Sequence, residues 1–166
     1  MSFRRLSSIG GFGFALLVGS AALTPLRAEN FSALRVDVGP LLAQGGGLQA
    51  EALRADLTAA LRRSFADRLD GRGPTLVVRV RGLSINPYAG SGSGRSGFGG
   101  GGQSDYLDGE ALIVGPRGEI LRRHPQLSAT PASFGGAWYD PESERRRLAA
   151  IAEHYAAWLA RSLPSD

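Results

Sequence analysis

The chain has 166 residues, 43% of them hydrophobic, with 19 basic residues against 15 acidic ones for a formal charge of +4. That length fits one domain with a hydrophobic core of its own. The absence of cysteine excludes disulfides, thiolate metal sites, cysteine nucleophiles and the residue on which a lipoprotein anchor is built.

Residues 1–28 have the layout of a secretory signal peptide. Arg4 and Arg5 charge the start, an apolar run extends from Phe12 to Leu23, and Leu26-Arg27-Ala28 offers a cleavage site before Glu29. Pro25 and the shortness of the run argue against a retained span, which needs about 20 apolar residues. We therefore expect a periplasmic protein with residues 29–166 forming a single domain. Cleavage removes Arg4, Arg5 and Arg27, so 16 basic residues then face 15 acidic ones and the net charge falls to +1. Nucleic-acid binding, which needs a basic stripe, is not expected.

Along the mature chain, Ala33 to Val38 alternates, with Leu34, Val36 and Val38 on one face and Arg35 and Asp37 on the other. That is a half-buried strand, and Gly39-Pro40 ends it. After Gly45-Gly46-Gly47, Leu53, Leu57, Leu61, Phe65 and Leu69 recur every four residues. The recurrence predicts an amphipathic helix over 48–69, closed by Asp70-Gly71. Thr75 to Ile85 predicts a second strand, with Leu76, Val78 and Val80 on one face and Val77, Arg79 and Arg81 on the other. Two strands joined by a helix of this length predict a parallel βαβ unit. Arginines on the alternate face predict a sheet covered on one side only.

From 89 to 103 periodicity vanishes: eight of the thirteen residues from Gly90 to Gly102 are glycine. Such a segment has too little apolar surface to offset its ordering entropy, which predicts a flexible loop. Gly92, Gly94 and Gly97 match a dinucleotide fingerprint in spacing alone. They do not join a strand to a helix, so no cofactor is expected. The loop offers Tyr88, Arg95 and Phe98 as contact points.

Next, two β-prone runs from Tyr106 to Arg123 flank Gly115-Pro116-Arg117-Gly118, the signature of a hairpin with a type I turn. Leu107, Gly109, Ala111 and Ile113 share one face, and Asp108, Glu110, Leu112 and Val114 the other. The second arm runs from Glu119 to His124 and is expected to stop at Pro125, leaving 127–133 as an irregular return. Asp140 as N-cap, Pro141 at the first helical position, and Glu142 and Glu144 in the first turn predict the last helix. Its apolar stripe is Leu148, Ile151, Ala152, Tyr155, Trp158, Leu159 and Leu163, with Pro164 as its stop. Arg145, Arg146 and Arg147 read as a solvated face.

Chemical motifs are sparse. His124 and His154 form no metal-binding pattern, so neither a metal site nor a catalytic set is expected. Asp108 and Glu110 share a strand face, as a carboxylate pair in a hydrolase would. Cross-strand pairing with Arg79 or Arg81 is the favoured account of them. Phe134, Trp138 and Tyr139 cluster before the last helix, and since large aromatics dominate burial, packing against the core is expected. The alternative is an aromatic contact surface shared with Tyr88 and Phe98.

The order β-α-β-β-β-α predicts an α+β two-layer sandwich, a four-stranded mixed sheet with two helices on one face. This order, the Asp108-Gly109-Glu110 strand and the Gly-Pro-Arg-Gly-Glu-Ile turn resemble small domains of bacterial envelope proteins. These include secreted domains and auxiliary lipoproteins of transport systems, and the likeness covers most of residues 31–163, without the lipoprotein cysteine. The resemblance implies a non-catalytic periplasmic component that binds protein, lipid or glycan. On this reading the partner-binding residues are Tyr88, Arg95, Phe98, Trp138 and Tyr139, and membrane contact comes only through an uncleaved signal segment. A hydrolase using its acidic residues, and a structural or stress-response envelope protein with no dedicated ligand, are the alternatives.

Overall fold

In the computed structural model, which describes residues 30–85, 104–137 and 139–163, the alternating segments become four strands of one sheet. They are β1 (Ala33–Asp37), β2 (Thr75–Ser84), β3 (Ser104–Val114) and β4 (Ile120–Pro131), in spatial order β1-β2-β3-β4. β1 and β2 are parallel, as the intervening helix requires, and the other neighbours are antiparallel. The helices are a short α1 (Gly39–Ala43), α2 (Gly47–Ser64) and α3 (Ser143–Ser162). This is the expected α+β sandwich. The signal segment, the glycine-rich loop, Trp138 and Pro164 lie outside the described residues.

The core forms where the leucine stripe of α2 and the inner face of α3 meet one face of the sheet. Leu53, Leu57, Leu61 and Phe65 pack with Leu76, Val78, Val80, Leu107, Ala111 and Ile113, and with Ile151, Tyr155 and Leu159 of α3. Each large side chain so buried contributes about 1.5–3 kcal/mol. Gly109 lies beneath α3 for a steric reason. A Cβ there would stand 2.8 Å from the Arg79 carbonyl oxygen and 2.9 Å from Tyr155 Oη.

Three boundaries and one core position depart from expectation. α2 stops at Ser64, and the chain tightens into a 3₁₀ turn, Ala66–Arg68, instead of continuing to Leu69. The turn lets the Arg68 carbonyl accept the Phe31 N–H at 2.7 Å and sets the guanidinium over the rings of Phe31 and Phe65. Proline does not stop the hairpin's second arm. β4 runs through Pro125 to Pro131, and residues expected to be irregular are strand. β4 is an edge strand, where a missing N–H need not interrupt the ladder. α3 begins at Ser143 with Glu142 at the cap position, not at Pro141 after an Asp140 cap. Asp140 serves one step earlier: its Oδ1 accepts the Glu142 N–H and its carbonyl accepts the Ser143 N–H. Trp158, finally, is half-exposed beside Arg161, and Ala156 is the buried residue in its place.

The face of the sheet turned away from the helices carries charges in alternation. Asp37, Arg79, Glu110 and Arg123 form a ladder across all four strands, with N–O separations of 2.8, 3.9 and 3.4 Å. Hydrogen bonds from Arg79 and from the Gly39 N–H hold the Asp37 carboxyl below the usual carboxylate range.

Candidate contact surface at the loop end

Chain direction defines two ends of the molecule. β1 and β2 finish, β3 starts and β4 finishes at the end where the glycine-rich loop joins Ile85 to Ser104, with Ser104 opposite Pro131. α2 and α3 run side by side in the same direction: Gln49 meets Glu144, Asp56 meets Arg145, and Arg63 meets Glu153. Both helices therefore also begin at the loop end.

Polar contacts hold this end together. Arg147, 5% exposed, makes a bidentate ion pair with the fully buried Asp105, Nε to Oδ2 at 2.7 Å, joining α3 to the start of β3. Arg146 donates to the Gly135 carbonyl at 2.9 and 2.7 Å and to Asp140 at 2.7 Å. The Glu142 N–H, then Arg146, hold the Asp140 carboxyl below its ordinary range. Arg145 forms a two-pronged pair with Asp56 of α2. Arg145 and Arg146 are exposed, as a solvated face requires, whereas Arg147 is buried, and each of the three ties α3 to a different element. Charge-run reasoning fails for Arg147, because the fold brings the buried Asp105 carboxylate, distant in sequence, against it.

A buried amide and two buried hydroxyls extend the same polar character along β4. Gln126, Ser128 and Thr130 face the helices and are buried, and Gln126 donates to the Tyr155 carbonyl at 3.0 Å and to Ser128 at 3.2 Å. The Tyr155 phenol is pushed above its usual pKa by burial and by the carboxylate of Asp108.

Large apolar side chains stand outside this polar frame. Leu48 at the start of α2 is 90% exposed, Tyr139 is 76% exposed, and Phe134, in the 3₁₀ turn Ala132–Gly135 after β4, is 56% exposed. The expected packing of Phe134 and Tyr139 against the core is thus incorrect. The Arg146–Gly135 and Arg147–Asp105 contacts already close the core beneath them. Of the five predicted contact residues, Tyr139 is described and lies at this end. Tyr88, Arg95, Phe98 and Trp138 lie outside the described residues.

Sequence reasoning passed over Leu48, and it weighed Phe134 as part of an aromatic contact surface only as the alternative to core packing. Leu48 falls off the four-residue recurrence, which leads back from Leu53 to Gln49, and that mismatch was the available signal. Two surface grooves open here and share Gln49. One is lined by Leu41, Gln44, Gly45, Gly46, Ala50 and Leu83, the other by Leu48, Pro141, Glu142, Glu144, Arg145 and Leu148.

Asp108 and Glu110 lie elsewhere, on the open face of the sheet. Asp108 accepts from Arg81 at 2.7 Å, and Glu110 pairs with Arg79 and Arg123, which is the expected cross-strand pairing. Among the described residues no three His, Cys, Asp or Glu side chains gather as metal ligands, and no helix is long and apolar enough to cross a membrane.

No protein-family model matches the chain, and no curated protein matches it. Among solved structures it is similar to a protein designated a lipoprotein from Caulobacter crescentus CB15, with 14% identity, a TM-score of 0.40, and coverage of 80% of this chain and 84% of that one. It is also similar to a minor lipoprotein from Acinetobacter baumannii, with 12% identity, a TM-score of 0.43, and coverage of 80% and 92%. At those values the likeness assigns neither family nor activity.

Proposed function

We propose that this chain is an exported, non-catalytic protein of the bacterial envelope that works as an interaction module, and that its loop end is the contact surface. One observation carries the reading: Leu48, Phe134 and Tyr139 stand exposed at one end of the sheet, on a frame closed by a buried ion pair. Isolated exposed apolar residues need no explanation, but several at one end, two of them aromatic, have the composition of an interface. The leader-like first 28 residues support export. The partner is an envelope component, and the glycine-rich segment between Ile85 and Ser104 joins the sheet at the same end.

The test is site-specific photo-cross-linking in cells. A photoreactive residue in place of Tyr139 is expected to capture a discrete partner. The same residue in place of Arg72, exposed at the opposite end, is expected to capture none. Equal capture from both positions, or none from Tyr139, overturns the proposal.

A further inference from the structure

We infer that the groove between the starts of α2 and α3 takes a peptide segment of the partner that carries an apolar side chain next to a cationic one. This rests on the contact-surface reading above and specifies the partner's chemistry. The groove is lined by Leu48, Pro141 and Leu148, with Gln49, Glu142, Glu144 and Arg145 around them. Leu48 projects from a helix start where an apolar side chain contributes nothing to the core.

Charge decides the rest. The chain supplies arginines abundantly here, yet all three are committed: Arg145 to Asp56, Arg146 to Gly135 and Asp140, and Arg147 to Asp105. Glu144 is held by the neutral amide of Gln49 at 2.6 Å, and among the described residues no arginine forms an ion pair with Glu142 or Glu144. Glu142 lies in the field of Arg145, but that guanidinium is bound to Asp56, so among the described residues the rim carries two carboxylates without an ion pair of their own, beside an apolar floor. Carboxylates at a helix start do favour the helix dipole. That accounts for an acid in the first turn of α3, but not for a 90% exposed leucine across the groove from it. A cationic group on an incoming peptide completes these carboxylates, and its apolar neighbour covers Leu48, Pro141 and Leu148. An anionic membrane surface is repelled by the same rim.

The test uses the purified protein, ¹⁵N-labelled, titrated with a short peptide of alternating leucine and arginine, and with its leucine–glutamate counterpart as control. The arginine peptide is expected to shift the amide signals of Leu48, Gln49, Glu142 and Glu144, and to weaken as salt is raised. Combined Glu142→Gln and Glu144→Gln is expected to weaken it about tenfold, and Leu48→Ser by a further several-fold. Both sites are exposed, so these variants are expected to keep the fold, checked by the unshifted signals of the sheet. Shifts confined to another surface, equal binding of the glutamate peptide, or unchanged affinity in the double glutamine variant each overturn the inference. Binding to phosphatidylglycerol vesicles in preference to the peptide also overturns it. The contact-surface reading fails separately. If the double glutamine variant still captures the same partner through position 139 in cells, that reading stands and the cationic-peptide inference falls.

Discussion

The two ends of the sheet use the same residue types in opposite ways. At the end away from the loop, Phe31 and Phe65 are fully buried with ring centroids 5.9 Å apart, edge to face, and Arg68 lies over both. At the loop end Phe134 and Tyr139 stand in solvent. There the fold is closed by Asp105–Arg147 and by Arg146 on the Gly135 carbonyl instead. The difference teaches where apolar surface goes into folding and where it is left for something else. Because polar contacts close the loop end, its aromatic side chains stay largely exposed to solvent.

Breaking the comparison at the buried end should have the largest effect. Phe65→Ala empties a fully buried ring site and removes one face of the Arg68 stack, with an expected loss of about 3–5 kcal/mol. Denaturant unfolding measures it, and a loss below about 1 kcal/mol would mean that the aromatic stack does not hold that end.

The polar frame should break next, at a cost of about 3 kcal/mol for Asp105→Ala, because Arg147 is left buried without its carboxylate. Replacing both members together, Asp105→Leu with Arg147→Met, is expected to restore most of that stability. If the double variant is no more stable than Asp105→Ala, stranded charge is not the cause. A smaller effect, about 1–3 kcal/mol, is expected of Gly109→Ala, whose methyl meets the Arg79 carbonyl and Tyr155 Oη. Adding Tyr155→Phe should recover part of the loss and leave the part due to the carbonyl. Recovery of all of it would place the whole clash on the phenol.

Where inner faces are apolar, the sequence was legible. Leu53, Leu57 and Leu61 of α2 and the Leu76-Val78-Val80 face of β2 are as buried as their spacing predicts, and the parallel pairing of β1 and β2 follows from the helix between them. β4 was half missed because its polarity is inverted. Gln126, Ser128 and Thr130 point inward while Pro125 and Leu127 are exposed, so alternation cannot tell inside from outside. The buried arginine was hidden for a related reason. Arg147 is one of three identical neighbours, and only Asp105, 42 positions away, distinguishes it. The contact surface was legible in Tyr139, half legible in Phe134 and illegible in Leu48. Exposure depends on what the rest of the fold has already covered, which no local pattern records.

The smallest stability effect is expected at the loop end, and it gives the most direct test. The Phe134→Ala/Tyr139→Ala double variant should change unfolding free energy by no more than about 0.5 kcal/mol, as exposed positions do. In cells, chemical cross-linking of that variant should lose the partner that the native chain recovers. Lost recovery with unchanged stability is the result the account predicts. Full recovery, or a variant destabilised like Phe65→Ala, would contradict it.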